Sequence, residues 1–114
     1  MAYDEILADR IRDALGPTLP DAVEKKMFGG LAFLIGGNMA IAASGKGGLL
    51  VRVSPDNYTD LLIPGVVETM VMGGRETRGW LRVSAAAAED DDALAEWVDR
   101  GVSYAGSLPV KTGK

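Results

Sequence analysis

The sequence contains no cysteine and no histidine. Without them, a disulfide framework, thiol chemistry, the usual zinc sites and the Ser-His and Cys-His nucleophile pairs are all excluded. Aromatic residues make up only 6% of the chain. Its uncharged apolar runs are far shorter than the roughly 20 residues that a membrane-spanning helix needs, so we expect no membrane-inserted segment.

Basic residues are also fewer than acidic ones. The chain has 12 Lys and Arg against 16 Asp and Glu, which gives a net charge of −4. Such a charge argues against a general affinity for nucleic acid or acidic lipid. The N-terminus is amphipathic and acidic, unlike the basic and apolar start of a signal peptide. We therefore expect a cytoplasmic protein with no membrane partner and no direct DNA binding.

The length of 114 residues, with 47% hydrophobic residues, suits one domain that buries its own core. No internal repeat and no low-complexity segment divides the chain. We expect a single domain over residues 1–114, with a disordered tail at residues 110–114.

The stretch from Lys25 to Val53 shows no helical period. It contains three apolar runs with glycine-rich turns between them, at residues 31–35, 39–43 and 49–53. Gly36-Gly37 supplies the positive φ that a two-residue hairpin turn requires. The pattern predicts a three-stranded antiparallel meander.

A second glycine pair, Gly29-Gly30, follows Met27-Phe28, where a strand is expected to start and continue. Glycine inside a strand marks a bulge or a close backbone approach. A bulge that bends the strand is the structural interpretation, and a backbone surface kept open for a ligand or partner is the functional one.

The rest of the chain predicts three helices and two further strands. Apolar spacing and an acidic first turn predict a helix from about Asp4 to Leu15, and Ser54-Pro55-Asp56 predicts a short helix to about Leu62. Strands are expected at residues 66–72 and 77–83. The acids at residues 89–92 favour the start of a last helix that buries Trp97, rather than a metal site.

These elements predict an α+β, two-layer fold with the order α-β(3)-α-β(2)-α. It consists of an antiparallel five-stranded sheet with helices packed on it. No catalytic constellation is visible, and we expect no catalytic residue, no cofactor and no metal ligand.

An arginine cluster is the candidate contact site. Arg75, Arg78 and Arg82 surround the last two predicted strands with Trp80 between them, and Arg52 lies on the third strand. Guanidinium groups beside an aromatic ring can recognise a phosphate or a carboxylate. A salt-bridged surface around a partly buried tryptophan is the alternative.

The segment Glu24 to Leu31, with Met27, Phe28, Gly29 and Gly30 at its centre, resembles the signature of the TfoX/Sxy N-terminal domain family. Further matching segments follow in the same order and spacing: Gly37–Ala40, Leu50–Val53, Gly79-Trp80, Trp97 and Ser107–Pro109. The last helix with Trp97 and the ending Ser107–Pro109 resemble the short, single-domain members of the family. The resemblance implies an α-β(3)-α-β(2)-α domain without established catalytic residues. Named members regulate competence for DNA uptake and carry a second, C-terminal domain, before which this chain ends.

Two hypotheses about function follow. The first is a non-enzymatic regulatory or protein-interaction module, whose partner is a regulatory protein or a second copy of the chain in a homodimer. The second is a small-molecule or anion-binding domain, or a weak enzyme, that uses Arg52, Arg78 and Arg82. A concave pocket lined by the arginines would favour the second hypothesis, and a flat apolar patch or a symmetric dimer face the first.

Overall fold

The fold is given by a computed structural model that describes residues 5–27, 30–45, 47–56, 58–72 and 74–109. In these residues two helices accompany one antiparallel sheet of strand order β1-β2-β3-β4-β6-β5. The helices are α1 (Glu5–Leu15) and α2 (Asp91–Ser107), and the strands are β1 (Ala22–Met27), β2 (Gly30–Ile35), β3 (Asn38–Ala43), β4 (Leu49–Arg52), β5 (Val67–Met72) and β6 (Arg75–Val83).

The predicted α+β class and antiparallel sheet are confirmed, and the meander is formed by β2, β3 and β4. Gly36 and Gly37 both hold positive φ, at 61° and 82°, in the turn between β2 and β3. The predicted alternation along β6 is also confirmed. Leu81 and Val83 are buried, whereas Trp80 and Arg82 on the opposite face are half-buried.

The sheet has six strands rather than five, because β1 precedes the meander. The sequence pattern does not predict this strand, because Glu24-Lys25-Lys26 carries charge where a buried strand would carry apolar residues. An edge strand tolerates these charges. In addition, Glu24 lies opposite Phe33 on the side of the sheet where α1 packs, and Arg12 of α1 neutralises it.

The helix predicted from Pro55 to Leu62 is a single 3₁₀ turn, Tyr58–Leu61. Ser54 does cap the chain here, because its Oγ accepts a hydrogen bond from the Asp56 N–H at 3.2 Å. That bond serves a local turn, and local side-chain caps compete with helix propagation. Tyr58, Leu61 and Leu62 nevertheless pack against the core as predicted.

The glycine pair does not lie inside one strand. Met27 ends β1 and pairs with Gly30, the first residue of β2, while Phe28 and Gly29 lie outside the described residues. A Cβ on Gly30 would lie 2.0 Å from the Ala43 carbonyl oxygen. The close backbone approach at Gly30 is therefore to β3 of the same chain.

The main core lies between the sheet and the two helices. Leu7 and Ile11 of α1, Leu94 and Trp97 of α2, and the inward residues of the strands form one buried cluster. Trp97 is only 8% exposed, as the helical pattern predicted. Among the described residues, no helix combines the length and apolar character needed to cross a membrane.

A smaller apolar cluster occupies the opposite face of the sheet, here called the outer face. Its described members all come from strands: Ala32, Met39, Ala42, Leu50 and Met70 are buried, and Leu34 and Trp80 are half-buried. The sheet is thus apolar on both faces at its centre. This explains why its strands appear in the sequence as continuous apolar runs.

Helix α2 crosses β3 at a point where only glycine fits. A Cβ on Gly101 would lie 2.4 Å from the Ala40 carbonyl oxygen, whereas a Cβ on Gly106 would meet nothing within 4 Å. We expect Gly101→Ala to lower the free energy of unfolding by about 1–3 kcal/mol, because the helix must move away from the sheet.

Gly106→Ala is the matched control in the same helix, and we expect it to be neutral or to stabilise by up to about 1 kcal/mol through helix propensity. Urea unfolding of both variants measures the difference. Equal midpoints for the two variants would show that the contact between α2 and β3 is not close.

Candidate interaction face

Arg52 lies between two aromatic rings at the end of β4. It pairs with Trp80 across β4 and β6, and its Cζ lies 5.0 Å from the centroid of the Trp80 ring. The Tyr104 ring of α2 is 5.7 Å from the same atom. Arginine over an aromatic face gains electrostatic energy from the ring quadrupole. Arg52 therefore joins the end of the sheet to the last turns of α2.

The backbone next to Trp80 is held by Gly79, which has a φ of 83°. The Gly79 carbonyl accepts a hydrogen bond from the Val53 N–H at 2.7 Å, and a Cβ on Gly79 would lie 2.6 Å from the Val53 carbonyl oxygen. The pairing of β5 with β6 shifts register here, between Thr69 and Val71. Gly79 thus sits in an irregular part of β6 that precedes Trp80.

The structure places the predicted arginines in different environments. Arg82 is half-buried on the outer face, two residues beyond Trp80, and pairs with Glu68 of β5. Arg75 is exposed at the start of β6, seven residues before Arg82. Arg78 is exposed, and its Nη2 lies 3.4 Å from the Pro55 carbonyl oxygen. Arg52 and Arg82 therefore lie beside Trp80 on the outer face, and Arg75 lies at the far end of β6.

Two segments that the resemblance singled out contact each other. The buried Asn38 side chain, at the start of β3, donates from Nδ2 to the Pro109 carbonyl at 3.0 Å. This bond ties the chain that follows α2 to the beginning of β3. Together with Gly30 and Gly79, it indicates that the motif residues hold backbone segments in place.

Arg12 of α1 is a structural residue that the sequence did not single out. Its Nε and Nη2 donate to the two carboxylate oxygens of Glu24 in β1 at 2.7 and 2.8 Å, and its Nη1 contacts Asp9. The hydrogen bond to Glu24 is the main reason why the pKa of Arg12 is raised. The same bond lowers the pKa of Glu24 below its ordinary value.

The acidic residues before α2 act as caps and ion-pair partners. The Asp90 side chain accepts from the Ala93 N–H at 3.1 Å, which confirms the predicted cap. Arg10 of α1 donates to Asp91 at 2.8 Å and to the Glu89 carbonyl at 2.9 Å. In the part of the chain that the structure describes, no group of three acidic residues is arranged to hold a metal ion.

Two larger surface cavities lie outside the arginine cluster. One, of about 500 Å³, lies between α2 and the end of β4 and is lined by Val53, Ser54, Asp60, Leu61, Asp99, Arg100, Ser103 and Tyr104. The other, of about 440 Å³, runs along β5 and is lined by Leu62, Pro64, Val67, Glu68, Thr69, Val71 and Glu76. Neither is lined by Arg52, Arg75, Arg78 or Arg82.

The described residues thus form a small α+β domain with paired arginine and tryptophan side chains on an apolar sheet face. The sequence pattern of the TfoX N-terminal domain family matches residues 13–105, which is nearly the whole chain. The chain belongs to this family. No curated protein and no solved structure gives a significant match.

The pair of Arg12 and Glu24 predicts a pH dependence. A carboxylate with a lowered folded pKa stabilises the fold above its ordinary pKa of about 4.3, and this contribution is lost as the pH falls through the lower folded value. We expect Glu24→Gln to cost about 0.5–1 kcal/mol at pH 7, because the pair is partly exposed.

The difference between Glu24→Gln and the parent should shrink as the pH falls from 5 to 3, and urea unfolding across this range measures it. Glu96→Gln, at an exposed position of α2, is the control. Its difference in unfolding free energy from the parent should stay the same between pH 5 and pH 3. An unchanged acid transition in Glu24→Gln would contradict the assignment.

Proposed function

We propose that the chain is a non-enzymatic regulatory or protein-interaction module, and that its partner binds on the outer face around Trp80. The observation that carries the proposal is the second apolar cluster, which in the described residues consists of strand residues and leaves Leu34 and Trp80 partly open to solvent. Aromatic residues and arginine on an apolar patch are typical of protein contact sites.

The charge around the outer face supports a particular chemistry for the partner. Arg52 and Arg82 lie on this face beside Trp80 and are half-buried, so a contacting protein would desolvate them further. Desolvated guanidinium groups require carboxylate partners. We infer a partner segment that presents apolar side chains flanked by Asp or Glu.

Anion or small-molecule binding by the arginine cluster is the alternative. It requires several arginines to converge on a cavity, whereas Arg78 approaches the Pro55 carbonyl and Arg52 stacks on two rings. The 500 Å³ cavity beside Tyr104 has two carboxylates, Asp60 and Asp99, and one guanidinium, Arg100, in its lining. The excess of carboxylates disfavours an anionic ligand there.

A cytoplasmic location and a regulatory role are parts of the same proposal. Family membership supports a TfoX-like domain, and the acidic, cysteine-free sequence supports a cytoplasmic setting. A role in competence for DNA uptake would need the partner to belong to that system.

The test of the proposed face compares matched variants as bait in a quantitative pull-down from native cytoplasm. Trp80→Ala and Arg82→Gln change the outer face beside its apolar cluster, and Arg75→Gln changes an exposed arginine at the far end of the same strand, five residues before Trp80. We expect at least one protein to be captured by the parent and Arg75→Gln but depleted about tenfold with both outer-face variants, the loss typical of contact hot spots.

Circular dichroism and urea unfolding would first establish that all three variants are folded. Capture that is equal for every variant would contradict the assignment of the outer face. If added phosphate or dicarboxylate instead protects Arg82 from chemical modification, the anion-binding alternative is favoured.

We also expect no appreciable binding of duplex DNA. The net charge is −4, and three phosphate contacts from Arg75, Arg78 and Arg82 would give a salt slope of only about −2.7 on logarithmic axes. Affinity near physiological salt should then be no tighter than about 10⁻⁴ M. Fluorescence anisotropy at low and physiological salt measures it, and micromolar binding at the higher salt would contradict the expectation.

A further inference from the structure

Strand β5 forms one edge of the sheet, and beyond Val67 no described segment pairs with its outward side. Within the described residues β5 pairs with β6 on one side, and on the other side only Ile63 bridges to Val67. The remainder of β5 carries one charged residue, Glu68, and no proline. Natural edge strands are usually protected by lysine, proline, bulges or covering segments, so an open apolar edge indicates a strand-pairing site.

The hydrogen bonds show which backbone groups of β5 point outward. The Val67 N–H donates to the Ile63 carbonyl at 2.8 Å, and the Val67 carbonyl accepts from the Ile63 N–H at 2.9 Å. On the β6 side, the Ser84 N–H bonds to the Val66 carbonyl instead. The register shift adds residues to β6 and not to β5, because Thr69 pairs with Leu81 and Val71 with Glu76. Since alternate residues of a strand bond to the same side, Thr69 and Val71 direct their N–H and C=O groups away from β6.

The side chains along this edge are self-complementary. Val71 of β5 is 58% exposed. The 440 Å³ groove along the same strand has an apolar part formed by Leu62, Pro64, Val67 and Val71, with Thr69, Glu68 and Glu76 completing its lining. An exposed apolar residue and a groove with apolar walls on the same strand suit a two-fold axis, which requires one patch to complement itself.

We propose that β5 pairs antiparallel with β5 of a second copy of this chain, on a two-fold axis at Met70. Thr69 of each copy then lies opposite Val71 of the other, so the outward backbone groups of both residues are satisfied. Each Val71 enters the groove of the other copy. The two Met70 side chains, which belong to the apolar clusters of the outer faces, meet at the axis and join the clusters.

The other edge of the sheet differs in a way that supports this choice. Strand β1 carries Glu24, Lys25 and Lys26 in succession, and these charges protect an edge against pairing. Strand β1 also has an exposed valine, Val23, at 61% exposure, so exposure of one apolar residue does not distinguish the two edges. The distinguishing features are the groove and the uncharged run from Thr69 to Val71.

The interface is small, which sets the expected strength of association. Ile63, 53% exposed, lies next to the end of β5 and adds apolar area. Stable interfaces bury roughly 1,200–2,000 Å² in total, and one short strand with its flanks lies at the low end of this range. We therefore expect a monomer–dimer equilibrium with a dissociation constant in the micromolar range.

The dimer rests on the proposed interaction role and names a second copy of the chain as one partner. It can be wrong while the outer-face proposal is right. Its readout is the mass of the purified chain, whereas the outer-face proposal is tested by capture of a different protein. A monomeric chain whose capture still depends on Trp80 and Arg82 would overturn only the dimer.

The experiment is sedimentation equilibrium of the purified chain from about 1 to 500 µM. Val71→Lys should raise the dissociation constant at least tenfold, and the fold should tolerate it because position 71 is exposed and pairs with Glu76. Thr69→Pro should act in the same direction. Its N–H points away from β6, so proline there removes a bond of the dimer and none of the sheet.

Val23→Lys is the matched control, an exposed valine changed to lysine on the opposite edge, and it should leave the dissociation constant unchanged. Urea unfolding at low concentration shows that each variant is folded. A chain that stays monomeric at every concentration would overturn the proposal. The edge of β5 would then be available only to a strand of another protein. A dimer that is weakened by Val23→Lys but not by Val71→Lys would overturn it as well.

Discussion

The close contact between α2 and β3 is the constraint on which the rest of the domain depends. Gly101 lies against the Ala40 carbonyl, with no room for a Cβ between them. This approach lets Leu94, Trp97 and Val98 reach the sheet and bury the main core. Core burial supplies most of the folding energy of a domain of this size, so the position of α2 determines how well the whole sheet is covered.

Salt bridges then fix the first helix relative to both layers. Arg12 joins α1 to Glu24 of β1, and Arg10 joins α1 to Asp91 at the start of α2. Such partly exposed pairs add little energy individually. Their importance is positional, because they attach α1 to an edge strand and to the second helix at once.

The two faces and two edges of the sheet have different roles in this protein. The inner face is covered by the helices, while the outer face has an apolar centre with Arg52, Trp80 and Arg82 beside it. Strand β1 is protected by charge, whereas β5 leaves outward backbone groups at Thr69 and Val71. An interaction module needs an accessible surface with specific chemistry. On the outer face the partly open side chains that provide it are Leu34, Arg52, Trp80 and Arg82, and β5 provides an edge.

The sequence by itself determined the α+β class, the meander, the alternation along β6 and the buried stripe of α2. These features depend on local periodicity and on turn glycines such as Gly36 and Gly37, which act over a few residues. The resemblance to the TfoX family was also readable, since its short segments recur in order. Composition alone excluded chemistry that depends on cysteine or histidine.

Only the tertiary structure decided which distant residues meet. Strand β1 could not be predicted, because the charge of Glu24 is neutralised by Arg12, twelve positions away. The arginine cluster divided for the same kind of reason. Arg52 contacts the Tyr104 ring of α2, and Arg78 approaches the Pro55 carbonyl. Local patterns do not encode such contacts, because they arise from how the elements pack.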